Sequence, residues 1–507
     1  MNKFYITTPI YYVNDKPHIG HAYTTIVADV LARYWRLRGS EVIFLTGTDE
    51  NSQKNVEAAE KAGEEVKSYI DRMSAVWQET WNSLGLTNDD FIRTTEERHH
   101  KAVEEFWKQV EKAGDIYLGK YEGWYCVGCE AFVIESELNN GNCPIHKKPA
   151  ERYEQENFFF KLTKYREALL KYIEENPYFI QPVARRNEIT NYIKDFMQDV
   201  SISRQSTKWG IPVPATELTT KDDKNKTQAI YVWFDALINY LSGVGFGTDE
   251  KKFEKFWPAD LHLVGKDIIK FHCALWPAML MSAKLELPKH VFALGFFTIN
   301  GDKISKSLGN AIDPVELANE YGIDAIRYYL LKDIHFGEDG DFSNERLKAR
   351  YENELANDLG NLLHRVLSMT EKYTEGKIPA KSNGEIKTWN DYDQALEEFR
   401  LHDSLEAVWS VIRDANKLIE QSKPWELAKT DLKKLNEILY NLLETLRHVG
   451  WMLLPIMPET AQKILNSLGL DEAELKKTYE QAKEWGGLPE NGIIMKGEPL
   501  FPKKGSL

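Results

Sequence analysis

Two short strings of reactive residues, almost three hundred positions apart, constrain the fold of this chain more than any other feature. The first string is PHIGH, from Pro17 to His21, and the second is DKISKS, from Asp302 to Ser307. Each follows a stretch of buried-strand character. Side chains so distant in sequence reach the same domain when the strands that carry them share a sheet, so we expect an α/β fold.

Predicted strands and helices alternate around these strings. Residues 4–13 and 41–45 have strand character, and residues 22–38 between them have helical spacing. Further strands, each followed by a helical stretch, are predicted at residues 229–234, 260–265 and 290–297. This order is typical of a Rossmann-type parallel sheet with crossover helices. We therefore assign residues 1–115 and 205–295 to the two halves of one α/β domain.

Two other regions break this alternation. Residues 116–204 hold three of the four cysteines and a turn-rich stretch, which indicates an inserted module. A linking segment, residues 296–345, contains the DKISKS string, and residues 346–507 follow without a predicted strand. Their amphipathic stretches predict an all-α bundle, with helices at residues 353–371, 392–420 and 431–453. We expect residues 499–502 to fold back onto this bundle.

Charge and hydropathy exclude several classes of protein. The formal net charge of −14 is unlike that of a sequence-blind nucleic-acid binder, although it leaves room for local contacts with RNA. No apolar run has the length of a membrane span, and the first residues lack the basic and apolar regions of a signal peptide. We expect a cytoplasmic protein of about two to four domains that does not bind membranes.

The PHIGH string has the composition of a phosphate-binding helix start. A helix N-terminus presents unpaired N–H groups to an anion, and Gly20 lets a ligand approach the backbone closely. His18 and His21, three positions apart, share one face of the predicted helix. Two surface or core histidines would give the same short string, so its weight comes from what accompanies it.

The DKISKS string places positive charge on a loop. Lys303 and Lys306 can converge on one ligand, and Ser305 and Ser307 can add hydroxyl contacts. Ordinary loop lysines are the alternative interpretation. Adenylyl transfer depends mainly on positioning and on stabilising the charge that develops at the α-phosphate, and a cationic loop suits it. Together the histidine pair and the lysine pair predict catalysis of acyl-adenylate formation.

A third string, Gly265-Lys266-Asp267, ends another predicted strand. An acidic side chain in this position can accept hydrogen bonds from ribose hydroxyls, as in other nucleotide-binding sheets. We therefore add Gly265 and Asp267 to Gly20 and Lys306 as candidate ATP-binding residues.

The inserted module carries a predicted metal site. Cys126-x-x-Cys129 and Cys143-x-x-His146 have the spacing of two zinc knuckles. Four protein ligands leave no position for an activated water, so the predicted Zn²⁺, one per chain, is structural. Reactive thiols are the alternative. The remaining cysteine, Cys273, lies in a helical stretch and is interpreted as a small core residue.

Further strings complete a pattern that covers essentially the whole chain. They lie at residues 8–14, 46–50, 124–129 and 231–236. With PHIGH, DKISKS and the cysteine module, in this order, the chain resembles the methionyl-tRNA synthetase family of class I aminoacyl-tRNA synthetases. The resemblance implies a Rossmann-type catalytic domain with an inserted zinc-knuckle module, followed by an all-α anticodon-binding bundle.

The resemblance also implies a reaction. Methionine and ATP give methionyl-adenylate and pyrophosphate, and the methionyl group is then transferred to the 3′-terminal adenosine of initiator and elongator methionine tRNAs. Mg²⁺ is expected with ATP. The histidine pair would bind ATP and the transition state, the lysine pair the reacting phosphates, Asp267 the ribose and Asp49 the substrate ammonium.

An aromatic pocket for the thioether is implied as well, which suits a flexible and polarisable side chain. For any single aromatic residue here, core packing is the alternative interpretation. The implied methionine-binding residues are Ile10, Tyr12, Asp49, Trp233, Ala236, Leu237, Tyr240, Ile268, His272 and Trp276.

In the predicted bundle the resemblance implies that Asn361, Arg365 and Trp425 read the anticodon. Asn361 and Arg365 are one helical turn apart, and an indole near a helix start can stack on an unpaired base. Without the resemblance, Trp425 would be interpreted as a core residue and Arg365 as a solvated charge.

The chain departs from the family's pattern in two places. Asn51 and Ser52 stand where the family has histidine and glycine, and we assign no role to Asn51. The chain ends at Leu507, whereas dimeric relatives continue into a further RNA-binding domain, so we expect a monomer.

Three other functions fit parts of the sequence. Synthetases for leucine, isoleucine or valine carry a large editing insertion, and the insertion here, under about ninety residues, is too short for one. A small nucleotidylyltransferase shares the His-x-Gly-His string but lacks the bundle and the cysteine module. An RNA-binding protein without catalysis has no need of the lysine pair or of Asp49.

Overall fold

The computed structural model describes residues 2–126, 131–133, 135–145, 147–205, 209–216, 218, 228–299, 301–304, 311–334, 337–470 and 472–502. Cys129, His146 and Lys306, as well as Ser305 and Ser307, lie outside the described residues. The chain forms two compact units. The sheet unit comprises residues 3–17 and 42–294, and the bundle unit comprises residues 1–2, 18–41 and 295–507.

The strands are numbered in chain order. The described strands are β1 (Lys3–Tyr12), β2 (Glu41–Asp49), β3 (Asp90–Arg93), β4 (Ile116–Cys126), β5 (Ala131–Val133), β6 (Glu151–Phe160), β7 (Ile180–Gln181), β8 (Val200–Ser201), β9 (Ser203–Arg204), β10 (Ala229–Ile230), β11 (Leu261–Gly265), β12 (Val291–Leu294), β13 (Phe297–Ile299), β14 (Asp302–Lys303) and β15 (Gly340–Phe342).

The α-helices are numbered in the same way. Those among the described residues are α1 (Ile19–Leu37), α2 (Gln53–Ala62), α3 (Val66–Ser83), α4 (Glu97–Lys112), α5 (Arg166–Glu175), α6 (Val183–Asp195), α7 (Val232–Leu237), α8 (Asn239–Ser242), α9 (Glu250–Phe256), α10 (Trp276–Ala283), α11 (Pro314–Tyr321), α12 (Ile323–Asp333), α13 (Asn344–Arg350), α14 (Asn361–Thr374), α15 (Trp389–Glu397), α16 (Leu401–Ser422), α17 (Pro424–Thr430), α18 (Leu432–Leu453), α19 (Pro458–Ser467), α20 (Glu472–Leu475) and α21 (Tyr479–Lys483). Wider π-helical turns at Phe271–Leu275 and Tyr351–Gly360 lead directly into α10 and α14.

A parallel sheet forms the centre of the sheet unit. Its described strands follow the order β3-β2-β1-β11-β12-β7, and β1 pairs with β11 in parallel, with Thr7 opposite His262. The strand order therefore reverses direction between β1 and β11. In open α/β sheets, ligands bind at such a switch point, beyond the carboxyl ends of the strands. The predicted parallel sheet is confirmed.

The insertion adds an antiparallel sheet to the same unit. Its described strands have the order β5-β4-β6-β8, and the long β4–β6 ladder runs from Ile116 opposite Phe160 to Tyr125 opposite Glu151. Phe158 and Phe160 are fully buried in the main core of the sheet unit. Alternate residues of β6 thus fix the base of the insertion in the main core, while β5, Cys126 and Cys143 lie at its far end.

The bundle unit joins α1 to the helices of the second half of the chain. Asp29 of α1 forms an ion pair with Arg327 of α12 at 2.7 Å, and both side chains are buried. Arg327 Nε also donates to the Ile456 carbonyl oxygen, after α18, at 2.6 Å. A buried charge requires such partners, so this arginine connects three parts of the unit.

The last described residues return to the bundle, as predicted. The Tyr351 hydroxyl donates to the Pro502 carbonyl oxygen at 3.0 Å, and its ring meets Phe501 edge to face at 5.8 Å. No helix in the described ranges is both long enough and apolar enough to cross a membrane.

Three predicted elements were wrong in detail, and one of them, the strand predicted at residues 290–297, is divided into β12 and β13. Residues 229–234 were expected to form one strand, but the extended stretch stops at Tyr231 and α7 begins at Val232. The Asp235 N–H donates to the Tyr231 carbonyl oxygen at 3.0 Å, which closes the first turn. Residues 392–420 were expected to form one helix, but α15 ends before Phe399, whose φ is 62°, and α16 starts at Leu401.

Candidate active site

The two signature histidines form the N-terminal cap of α1. His18 is the N-cap residue, and its Nδ1 accepts from the Gly20 N–H at 3.1 Å, while the His18 N–H donates to His21 Nδ1 at 3.3 Å. The rings stack with their centroids 3.7 Å apart. Because each Nδ1 accepts a hydrogen bond, the proton of each neutral ring lies on Nε2.

The charge state of His21 follows from its surroundings. Burial, together with the neighbouring imidazole of His18, lowers the pKa of His21 well below its ordinary value. At neutral pH the His21 ring is therefore an uncharged Nε2–H donor, positioned at the positive end of a long helix.

The bundle unit also contains the strands that lead into the DKISKS string. The Ile19 N–H at the start of α1 donates to the Ile312 carbonyl oxygen at 3.1 Å. A Cβ at Gly20 would lie 3.1 Å from the His18 ring, so the glycine leaves room for that ring, and 3.5 Å from the Cβ of Phe297 in β13, an ordinary contact distance. β13 pairs with β14, where only the backbone of Lys303 is described. The prediction for Lys306 falls outside the described residues.

In the sheet unit, predicted site residues lie at the carboxyl ends of adjacent parallel strands. Tyr12 ends β1, Asp49 ends β2 and Gly265 ends β11. A Cβ at Gly265 would lie 2.5 Å from Asp267 Oδ1, so a side chain there would displace the exposed Asp267 carboxylate from its present position. Ile10 packs against the main core two residues before the end of β1.

Asp49 is buried in a turn with several hydrogen bonds. Its carbonyl oxygen accepts from Asn55 Nδ2 at 2.8 Å. The adjacent Glu50 is fully buried and pairs with Arg93 at 2.7 Å. Arg93 therefore provides a positive partner for the Glu50 carboxylate. Although Asp49 and Glu50 are adjacent in sequence, their side chains have different surroundings.

Apart from Tyr12 at the end of β1, the aromatic residues predicted for the thioether pocket lie on α7, α8 and α10 and in the turn before α10. The Tyr240 hydroxyl is 2.8 Å from His272 Nε2, and the Tyr240 and Trp276 rings are 6.1 Å apart. The Trp233 ring stacks on Phe271 at 4.0 Å. Ala236 and Leu237 are buried beside them, and Ile268 packs against the same core.

The hydrogen bonds of His272 determine its tautomer. Its Nδ1 is 3.1 Å from the Ile268 carbonyl oxygen, which can only accept, so Nδ1 carries the proton and Nε2 accepts from the Tyr240 hydroxyl. Burial lowers the pKa of His272 to about 4. The pair is uncharged at neutral pH, as suits an apolar substrate side chain.

Sequence reasoning missed three residues around this pocket. Phe271 forms the stacking partner of Trp233. The His262 ring packs against Tyr240 at a tilt of 31° with centroids 4.2 Å apart, and its Nδ1 is 2.7 Å from Thr7 Oγ1 on the neighbouring strand. A histidine in the otherwise apolar strand β11 was the available signal, because a buried polar ring needs partners.

The described half of the cysteine module is consistent with a metal knuckle. Cys126, at the end of β4, and Cys143 are both buried in one small cluster with Val133. The Cys143 N–H donates to the Lys148 carbonyl oxygen at 2.9 Å, and the Lys147 N–H donates back to the Cys143 carbonyl oxygen at 2.8 Å. The tight turn at Cys143, and the burial of the Cys126 and Cys143 thiols in the same cluster, fit a zinc site.

The other two predicted zinc ligands, Cys129 and His146, lie outside the described residues. Among the described residues, no group of three or more His, Cys, Asp or Glu side chains could hold a metal ion. Cys273 is fully buried, and burial raises the pKa of its thiol well above the ordinary value. Its interpretation as a core residue is confirmed.

The anticodon candidates lie on the surface of the bundle unit. Asn361 begins α14 and is exposed, and Arg365 on the same helix forms an ion pair with Glu420 at 2.6 Å. Glu420 is in the last turn of α16, which leads through Lys423 into α17. Trp425 of α17 is 42% exposed, so the alternative interpretation as a core residue is excluded.

Comparisons with known protein families and with curated relatives give matches that extend over nearly the whole chain. A family described as class I tRNA synthetases (M) matches residues 4–152 and 133–367, and the anticodon-binding domain of methionyl tRNA ligase matches residues 370–504. The chain is 48% identical to a methionine–tRNA ligase of Thermotoga maritima, covering 99% of this chain and 80% of the relative. It is 44% identical to one of Streptomyces coelicolor, covering 99% of this chain and 96% of the relative.

The fold is also similar to that of solved structures. Methionyl-tRNA synthetase of Mycobacterium tuberculosis in complex with methionyl-adenylate is 39% identical, with a TM-score of 0.94 over 99% of this chain and 100% of that one. Its apo form is 36% identical, with a TM-score of 0.87 over 100% of this chain and 99% of that one.

Proposed function

The chain belongs to the methionyl-tRNA synthetase family, and from this premise we propose how its residues carry out the reaction. It is a methionine–tRNA ligase that activates L-methionine with ATP and transfers it to tRNA. The methionine carboxylate attacks the α-phosphate of ATP, an acyl–phosphate bond forms, and pyrophosphate leaves. The methionyl group then passes to the tRNA and AMP is released. We extend this to initiator and elongator methionine tRNAs.

The observation that carries the proposal is the histidine pair that caps α1. The uncharged Nε2–H group of His21, the neighbouring ring of His18 and the N-terminus of a long helix favour an anionic ligand. We assign His18 and His21 to ATP phosphates and to the transition state, with Gly20 allowing close approach. Lys303 and Lys306 then stabilise the charge on the reacting phosphates, and Mg²⁺ accompanies ATP.

The strand ends and the aromatic pocket supply recognition. Asp267 holds the ribose beside Gly265, and Asp49 pairs with the substrate ammonium. The thioether contacts a pocket in which Tyr240 and His272 satisfy each other, because the Tyr240 hydroxyl donates to His272 Nε2. Sulfur–ring contacts and apolar burial favour methionine there. The assigned pocket residues are Ile10, Tyr12, Trp233, Ala236, Leu237, Tyr240, Ile268, His272 and Trp276.

We assign a structural Zn²⁺ to the insertion, held by Cys126, Cys129, Cys143 and His146. The burial of Cys126 and Cys143 in one cluster supports this assignment. When bound, the ion cross-links the two knuckles and stabilises the end of a module that has a small core of its own.

The bundle unit is assigned to tRNA recognition. Exposure of Trp425 suits stacking on an unpaired anticodon base, and Asn361 and Arg365 suit hydrogen bonds to base edges. We retain the proposed division into residues 1–115, 116–204, 205–295, 296–345 and 346–507 as functional segments, and propose a cytoplasmic monomer.

Pyrophosphate exchange with each amino acid in turn tests the proposal. We expect ATP formation from labelled pyrophosphate with methionine and with no other amino acid. Lys306→Ala should lower kcat far more than it raises the KM for methionine, because the lysine charge acts mainly in the transition state. Exchange with another amino acid, or a Lys306→Ala variant that changes only KM, contradicts the assigned roles.

A further inference from the structure

Asn51 joins the turn after β2 to helix α7. Its side-chain amide donates to Asp235 Oδ2 at 2.7 Å and to the Thr94 carbonyl oxygen at 3.2 Å. Asn51 and Asp235 are both buried. The two hydrogen bonds use both amide protons, so the orientation of the amide follows from its partners.

Asp235 is held equally firmly from its other side. Its Oδ1 is 2.6 Å from His99 Nε2, and His99 Nδ1 is 2.9 Å from Ser242 Oγ. All three side chains are buried. Both carboxylate oxygens of Asp235 therefore have partners, and a buried network in which each member is satisfied is rigid.

The same turn carries the carboxylate assigned to the substrate ammonium. The Asn51 N–H lies 3.4 Å from Asp49 Oδ1, and the Glu50 N–H between them donates to Thr94 Oγ1 at 2.8 Å. The backbone from Asp49 to Asn51 is thus connected to the end of β3, and through the Asn51 side chain to α7.

Helix α7 carries part of the pocket assigned to the thioether. Trp233, Ala236 and Leu237 lie on this short helix on either side of Asp235. The hydrogen bond from Asn51 to Asp235 therefore connects the element that holds one end of the substrate to the element that holds the other.

We propose that Asn51 is a positioning residue for methionine, which sets the separation between the Asp49 carboxylate and the α7 wall of the thioether pocket. This inference rests on the proposed function, since it takes Asp49 and α7 as the two contacts of the substrate. Methionine spans both contacts at once, so a change in their separation weakens its binding and leaves ATP binding unchanged.

The test is steady-state pyrophosphate exchange with methionine and ATP varied separately, on variants whose thermal unfolding is measured first. Asn51→Ala removes both amide bonds, and Asn51→Asp, of nearly the same shape, places a second carboxylate against Asp235. A hydrogen bond to a buried charged acceptor contributes a free energy that corresponds to a factor of about ten or more in affinity. We therefore expect the KM for methionine to increase about tenfold or more in both variants. The KM for ATP should change less than about twofold, within the scatter of substitutions that remove no contact to that ligand.

A matched control in the same turn separates positioning from general loosening. Ser52 caps α2 by accepting from the Lys54 N–H at 3.1 Å, so Ser52→Ala lowers helix stability without removing the bond to Asp235. We expect this variant to melt at a lower temperature with the wild-type KM for methionine.

A double variant that exchanges the donor and the acceptor of the Asn51–Asp235 hydrogen bond tests the positioning role more directly than the single variants do. Asn51→Asp combined with Asp235→Asn restores one donor and one acceptor across the same contact, so the double variant should regain part of the methionine affinity lost in Asn51→Asp. A wild-type KM for methionine in both Asn51 variants, or equal increases in both KM values without rescue, overturns the positioning role. Absence of methionine-dependent exchange in the wild-type chain would instead overturn the proposed function.

Discussion

At the scale of single residues, Tyr240 and His272 show how a buried pocket remains uncharged. His272 gives its one proton to the Ile268 carbonyl oxygen and accepts from the Tyr240 hydroxyl. Because burial lowers the pKa of His272 to about 4, this arrangement persists across the physiological pH range. This pair thereby adds no cation to the pocket, as suits the thioether proposed to bind there.

Tyr240→Phe tests this pair. The substitution keeps the ring but leaves His272 Nε2 as a buried acceptor without its donor, at a cost of about 1–3 kcal/mol. We expect the KM for methionine to increase about tenfold with the KM for ATP unchanged. Exchange kinetics with each substrate varied in turn measure both values, and an unchanged KM for methionine contradicts the assigned role.

The residues that sequence alone could not reveal are those whose partners are distant. Spacing brings His18 and His21 together because they share one helix turn. No local spacing connects Asn51 to Asp235, which is 184 positions away, or His262 to Thr7 on another strand. Such contacts depend on the register of the sheet and the docking of helices on it, which a local pattern does not contain.

At the scale of elements, the periodic stretch of α18 was predicted correctly, whereas the predicted helix at residues 392–420 is divided near Phe399 and the short apolar run at residues 229–234 was assigned wrongly. Helix α18 closely matches the predicted 431–453, because its apolar stripe repeats over six turns. The apolar run at residues 229–234 is as compatible with a buried helix as with a buried strand, and tertiary packing selected α7. The predicted strand at 290–297 divides at Gly295, where a side chain would lie 2.0 Å from the Glu338 carbonyl oxygen.

Helix α18 also anchors a later segment through one carboxylate. Glu444 is fully buried and accepts from the Gly486 and Gly487 N–H groups at 2.8 and 2.9 Å and from Arg447 at 2.7 Å. Burial raises the pKa of Glu444, but its hydrogen bond with His448 and the charge of Arg447 outweigh burial and hold the pKa at about 2.

Glu444→Gln is therefore expected to destabilise the chain by about 3 kcal/mol at pH 7. A depressed carboxyl pKa contributes stability above its unfolded value, and this contribution decreases as the pH falls from about 4.5 towards 2. Denaturant unfolding of both forms at pH 7 and at pH 3 measures the difference. A destabilisation of equal size at the two pH values contradicts the account.

The cysteine module permits a direct test of the zinc assignment. Cys126→Ser removes a soft ligand, so we expect about one zinc per chain in the wild type and none in the variant, measured by elemental analysis of the purified protein. Cys273→Ala, which changes the buried core cysteine, is the matched control and should retain the metal. Full zinc content in Cys126→Ser would exclude the site.

At the scale of the whole molecule, each compact unit combines distant stretches of the chain. Residues 18–41 belong with residues 295–507 because α1 is bound there through the Asp29–Arg327 ion pair and the contact of Ile19 with Ile312. The helix that carries the signature histidines is thus part of the unit that contains the anticodon-binding helices. A boundary drawn from composition follows the sequence order and does not detect such an exchange.

Trp425→Ala tests the functional division at this scale. Base stacking on an aromatic side chain contributes about 1–3 kcal/mol, so the KM for methionine tRNA in aminoacylation should increase about tenfold. Pyrophosphate exchange without tRNA should be unaffected. Leu432→Ala, an exposed apolar residue that begins the next helix and has no assigned contact, should behave as the wild type. Slowed exchange in Trp425→Ala contradicts the anticodon assignment.

The central claim is that the strand ends and the aromatic pocket of the sheet unit recognise methionine. A crystal structure with a non-hydrolysable methionyl-adenylate analogue tests it most directly. The account predicts the thioether against Trp233, Tyr240 and His272, with the ammonium at the Asp49 carboxylate. An analogue whose side chain lies outside this pocket, or whose ammonium is paired elsewhere, would contradict it.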